Sequence, residues 1–139
     1  MKFLSKFEGV AYAAMRIIIG FFFACHGAQK ILGMFGGVEG KAVPFELSWV
    51  FIGGLVELVA GIFIAVGLLT RVAAFMASGQ MAVAYFKFHA IHLPPNYSGN
   101  LLMHHIFPIL NDGELAAVYC FIFLYIATRG TGKWGIQND

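Results

Sequence analysis

Four stretches of this chain, residues 9–32, 48–69, 72–90 and 113–128, are apolar over close to the length a helix needs to cross a membrane. That length is about 20 residues at 1.5 Å per residue. Together they use more than half of the 139 residues, which leaves no room for a soluble catalytic domain. The runs are too long for strands, and a membrane strand would alternate with period two. Composition points the same way. The chain is 60% hydrophobic and 12% charged, against about 45–50% and 25% in an ordinary soluble domain. A small soluble domain needs polar surface, because much of its chain stays exposed. The expected fold is therefore all-α, a single integral membrane domain over residues 1–139 built as a four-helix bundle. The same numbers exclude a disordered chain and a disulfide-stapled secreted domain. A net charge of +2 is too small to imply a nucleic-acid partner.

The connections differ in kind. Leu69-Thr70-Arg71 is a very short turn, so the second and third spans form an antiparallel hairpin. Residues 33–47 are a Gly-rich connector, and residues 91–112 form the long loop. Pro94-Pro95 stops the third helix, Asn111-Asp112 is the expected N-cap of the fourth, and Gly130 ends it. Lys2 and Lys6 before the first run imitate a signal peptide. The run is too long for one, Arg16 interrupts it, and three more spans follow. With four spans both termini share one side. That side carries Lys2, Lys6, Arg71, Arg129 and Lys133, and the other carries Lys30, Lys41 and Lys87. Five cations against three place the termini in the cytoplasm. Trp49 and Tyr97 then belong at the outer interface, Tyr12 and Trp134 at the inner one.

Ionisable groups inside a bilayer cost about 2.5–3.5 kcal/mol each on insertion scales, so their positions carry information. Arg16, Gly20, Phe23, Gly27 and Lys30 share one face of the first helix. Gly53, Glu57 and Gly61 share a face of the second, where small residues allow close helix approach. Gln80, Ala84 and Lys87 share a face of the third. His26, Gln29, Lys30, Lys87, His89 and Glu114 all fall at the outer ends of their helices. Glu57 lies beneath them and Arg16 beneath that, within reach of a long side chain. The expected candidates for a ligand site or proton pathway are thus Arg16, His26, Gln29, Lys30, Glu57, Gln80, Lys87 and Glu114, arranged as a column open to the outside.

Each feature also has a structural reading. Arg16 and Glu57 can form a buried pair that fixes helix register. Lys30 and Lys87 can snorkel to the interface, and Glu114 can complement a helix N-terminus. His89 and His92, with His104 and His105 in the same loop, suffice in number for a metal, although no Cys or second carboxylate repeats at metal spacing. Cys25 and Cys120 fall at similar depth, as a redox pair or as small hydrophobes. Gly130-Thr131-Gly132-Lys133-Trp134-Gly135 matches a nucleotide-binding pattern but follows no strand, so it is not one. The 15 Phe residues face lipid, pack helices, or wall a site for a flat ligand.

Five segments then carry a resemblance that covers nearly the whole chain in order. They are His26-Gly27-Ala28-Gln29-Lys30 with Gly33 and Phe35-Gly36-Gly37, then Gly53-Gly54-Leu55-Val56-Glu57-Leu58, then Gly67-Leu68-Leu69-Thr70-Arg71. Asn111-Asp112-Gly113-Glu114-Leu115 and Gly130-Thr131-Gly132-Lys133-Trp134 complete the set. On these residues the chain resembles the DoxX family of small four-helix bacterial inner-membrane proteins. The His-rich loop departs from the family pattern. The resemblance implies a multi-pass protein of a bacterial or archaeal cytoplasmic membrane. It also implies redox company: some members resemble or serve as subunits of thiosulfate:quinone or terminal quinol oxidoreductases, and others are linked to oxidative-stress complexes or resistance to quinones and catechols. The expected function is a redox-associated subunit that contacts a quinone or similar aromatic within a homo-oligomer or larger membrane complex. No haem, flavin or iron–sulfur motif is visible in the sequence, so electrons would come from a partner or from a cofactor that leaves no such motif. The alternatives are a non-catalytic anchor or assembly subunit and a small-solute or proton pathway.

Overall fold

The structure, a computed structural model, describes residues 2–95, 97–137 and 139. Among these the chain is helical, and its only strand-like feature is a bridge between Val38 and Lys41. A short helix α1 (Lys2–Ser5) precedes α2 (Glu8–Leu32), α3 (Trp49–Val66), α4 (Thr70–Ala84), α5 (Leu101–Ile106) and α6 (Glu114–Arg129).

Local chemistry sets the ends. Helix α2 stops at Gly33, whose φ of 67° is left-handed and whose N–H bonds to Ala28 O. Helix α3 starts on Ser48, whose hydroxyl accepts the Phe51 N–H at 3.2 Å, a common N-cap arrangement. It ends at Gly67, also left-handed. The turn to α4 is Gly67–Leu69, so Thr70 and Arg71, expected in the turn, instead open α4. Beyond Ala84 helix α4 continues into a π-helical stretch, Tyr85–Ala90, with Ile91 N–H bonded to Phe86 O at 3.2 Å. Asn111-Asp112 does not supply the N-cap expected for α6. Gly113 occupies that position, and Asn111 Oδ1 instead accepts the Gly113 N–H at 3.0 Å.

Two helices, α2 and α3, are long and apolar enough to cross a membrane. Helices α4 and α6 have 15 and 16 residues, short of about 20, though the π-helical stretch lengthens α4. All four present large apolar residues outward. Phe21 and Phe22 on α2, Leu55 and Ile62 on α3, Phe75 and Met76 on α4, and Phe121 on α6 are exposed. A water-soluble surface rarely carries apolar patches this extensive, whereas lipid accepts them.

Helices α2 and α3 pack with their backbones nearly touching. A Cβ added at Gly27 would fall 2.2 Å from Leu58 N, one at Gly61 2.4 Å from Ala24 N, and one at Gly20 2.6 Å from Ala65 N. Gly54 makes room for the stem of Lys30, whose Cβ would be 2.8 Å away. Thus Gly54 and Gly61 form the α2-facing row. Gly53, expected in that row, turns toward Gln80 of α4 instead. Opposite them, α4 and α6 join through Ala73, Ala74, Ala77 and a Ser78 hydroxyl bond to Cys120 O at 2.8 Å. Aromatic rings bridge the two pairs: Phe23 lies 4.5 Å from Phe123, which stacks on Tyr119 at 5.4 Å.

Gly79 on α4 differs, because nothing lies within 4 Å of a Cβ placed there. Gly27→Ala should therefore destabilise the protein by about 1–3 kcal/mol through overpacking. Gly79→Ala should be neutral or stabilising by up to about 1 kcal/mol from helix propensity. Thermal unfolding in mild detergent measures both; equal behaviour would contradict this packing.

Candidate functional site

The four longer helices enclose a cavity of about 340 Å³ at the end where α2 and the π-helical stretch after α4 finish and α3 and α6 begin. Phe23, His26 and Lys30 come from α2, and Trp49, Gly53 and Glu57 from α3. Gln80, Met81 and Ala84 come from α4, Phe88 and His89 from the π-helical stretch, and Ala116 and Tyr119 from α6. Asp112 and Leu115 complete the wall. Phe88 and His89 reach this wall from within the π-helical stretch; π segments often mark functional positions.

Glu57 is the polar centre. Its side chain is only 3% exposed, and both carboxylate oxygens accept from Lys30 Nζ, at 2.6 and 2.7 Å. Gln80 Nε2 adds a longer bond to Glu57 Oε1 at 3.3 Å. Two opposite needs remain. An ammonium has three donors, so Lys30 retains one after serving Glu57. Gln80 Oε1 is buried and has no hydrogen-bond partner among the described residues. A donor and an acceptor thus flank the carboxylate, with Phe23, Trp49, Phe88 and Tyr119 as apolar walls. The His26 ring stands edge-on to Tyr119 at 6.4 Å. Lys87 Nζ sits 4.5 Å from the centre of the Trp49 ring, a cation–π contact at the rim.

The column expected from the sequence therefore shortens to part of its members. His26, Lys30, Glu57 and Gln80 come together. Arg16 does not join them, and the expected pair with Glu57 does not form. Its guanidinium is fully buried and donates to Ile64 O, to Ala65 O at 2.8 Å, and to Lys133 O and Trp134 O at 3.2 and 3.1 Å. Ile64 lies seven residues past Glu57, about 10 Å along the helix. At that depth Arg16 meets the open carbonyls that end α3, where a cation is favoured. Gln29 turns away as well and donates to Gly37 O in the connector at 3.1 Å. Glu114 is exposed and does not line the cavity.

At the Arg16 end, residues after Gly130 fold back over α3 and α4. Thr131 and Thr70 hydroxyls lie 2.7 Å apart, and Ile136 and Gln137 N–H groups bond to Val66 O and Gly67 O. Arg71 donates to the carbonyls of Ala127, Thr128 and Arg129, closing α6 as Arg16 closes α3. Burial pushes the Asp139 carboxyl up. Bonds from the Thr131 hydroxyl and from the N–H groups of Arg71 and Thr131, with the Arg71 charge, outweigh that and hold it below its ordinary value.

The rings of His89, His104 and His105 are engaged with backbone. His89 Nδ1 donates to Asn111 O at 3.1 Å, His104 Nε2 to His92 O at 3.0 Å, and His105 Nδ1 to Ala90 O. A carbonyl can only accept, so each of these ring nitrogens carries the proton. The His104 and His105 bonds tie α5 to the end of the π-helical stretch and the residues just after it. Among the described residues no three His, Cys, Asp or Glu side chains gather as a metal-ligand set, from His89, His92, His104 and His105 or elsewhere. Cys25 and Cys120 are both free thiols.

The arrangement defines a helical protein with lipid-compatible outer faces and a ligand-sized internal cavity. The DoxX family profile matches residues 11–90. An uncharacterized protein of Haemophilus influenzae is 37% identical over 142 residues, covering 99% of this chain and 96% of that one. The chain belongs to the DoxX family of membrane proteins. No solved structure matches it significantly. The matched segment supplies three walls of the cavity, while the α6 wall lies beyond it.

Sequence reasoning missed Trp49, Asp112 and Tyr119 as cavity residues. Two are aromatics in apolar runs, where nothing separates a cavity wall from a lipid-facing ring. The Lys30–Glu57 pair is directly testable. Lys30→Met should cost about 3–5 kcal/mol by leaving a buried carboxylate unpaired. Adding Glu57→Leu should recover most of that loss in detergent unfolding. A double variant no better than the single would contradict the pairing.

Proposed function

We propose that this chain is a four-span integral membrane protein of a bacterial or archaeal cytoplasmic membrane. In this reading its cavity holds a quinone or related oxygen-bearing ring for a membrane redox assembly. The observation that carries the reading is the pair of opposite hydrogen-bonding needs around Glu57. A quinone carbonyl accepts the remaining Lys30 proton, and a quinol hydroxyl donates to Gln80 Oε1. Aromatic walls fit a flat ring, and about 340 Å³ falls in the range of small-molecule sites, about 300–1,000 Å³. Glu57 anchors the Lys30 ammonium at the cavity wall, where its remaining N–H can reach the ring. Electrons come from a partner in the assembly. The excess of five cations over three on the terminal side supports termini in the cytoplasm, and in this reading the cavity opens in the outer half of the membrane.

Titration of the detergent-purified protein with a ubiquinone or menaquinone head-group analogue tests this. Saturable binding is expected. Gln80→Met should weaken the reduced form about tenfold, the value of one buried hydrogen bond, and affect the oxidised form less. His26→Ala should also weaken binding. No saturable binding, with stable co-purification of a larger enzyme, would replace this reading with a purely anchoring subunit.

A further inference from the structure

A second opening, of about 290 Å³, lies between α3 and α4. Its outer part is apolar: Ile52 and Val56 on one side, Phe75, Met76 and Val83 on the other. It shares Trp49, Gly53, Gln80, Ala84 and Phe88 with the central cavity, so the two spaces have a common wall. At that wall the Gln80 amide packs directly on the α3 backbone, because Gly53 has no side chain there and a Cβ on it would come 3.1 Å from Gln80 Nε2; Gln80 is thus the side chain that divides the two spaces. Gly79 lines the same opening. The glycines between α2 and α3 are explained by backbone contact, whereas a Cβ at Gly79 would meet nothing within 4 Å. Glycine inside a helix is unfavourable relative to alanine. What Gly79 provides is open space between two helices whose outer faces, at Ile52, Phe75, Met76 and Val83, are exposed.

We infer that the α3–α4 gap is a side passage through which the ligand's hydrocarbon chain leaves the cavity. This rests on the reading of the cavity as a quinone-type site and narrows the ligand to one with a polar ring and a long apolar chain. The physical need is for the chain to stay in lipid. A bilayer interior is as apolar as the groove, so the gap adds little attraction for the chain. It lets the ring reach Lys30 and Gln80 without drawing the chain through the polar outer rim. A ring with no chain needs no such gap.

The test compares a chain-free ubiquinone head with ubiquinone carrying a long isoprenoid chain, on wild-type protein and Gly79→Leu. Leucine favours the helix more than glycine, and Val83→Trp serves as a second obstruction. Both variants should weaken the chained ligand about tenfold or more and leave the chain-free head unchanged. A photoreactive group on the chain should label Phe75, Met76 or Val83. If the variants affect both ligands alike or neither, or if the label falls on the outer loop or only on lipid, the passage is refuted while the ring site stands. If neither ligand binds the wild-type protein, the ring site and the passage fall together.

Discussion

Everything in this molecule depends on how closely α2 approaches α3. Backbone-to-backbone contact at Gly20, Gly27 and Gly61 leaves no space for even one methyl group. Small residues serve this purpose in membranes, where helices gain no hydrophobic force from each other and must rely on packing. The contact fixes register along the whole pair. Register decides that Lys30 meets Glu57, and that Arg16 meets the end of α3. A shift of one turn would separate the ion pair and leave a carboxylate buried without its cation.

The looser side of the molecule is informative for the same reason. Between α3 and α4 the residues do not close up, and both open spaces border that seam. The tight pair acts as a frame, and the cavity forms where α4 and α6 lean against it. The polar centre is economical: one carboxylate, one ammonium and one amide satisfy each other almost completely. The amide oxygen left over is the exception. Buried polar atoms are nearly always paired, so an unpaired one beside an aromatic-walled cavity points to something that fits there.

Much of this was legible in the sequence, and the failures have physical causes. Hydropathy located four helices, because apolar length is written directly in composition. Spacing put Gly20, Gly27 and Lys30 on one face. Periodicity gives angle around a helix, not depth against a neighbour, so Arg16 was matched with Glu57 although its partners lie about 10 Å away. Spacing by four also groups Gly53 with Glu57 and Gly61 as a close-approach face, whereas Gly54, one residue and 100° of helix away, is the one that meets α2. The π-helical stretch at Tyr85–Ala90, which carries the cavity residues Phe88 and His89, has no sequence mark. Glu114 was assigned inward because it sits at the right level, yet its side chain points out. The histidines suggested a metal by number, but their ring protons go to carbonyls that only the folded loop presents.

The most direct measurement is an experimental structure of the protein purified from its own membrane without added ligand. The account predicts flat density between Lys30, Gln80 and Tyr119, with a narrow extension past Gly79 between α3 and α4. A collapsed cavity, with Gln80 Oε1 bonded to a protein donor and no density beside Glu57, would contradict it.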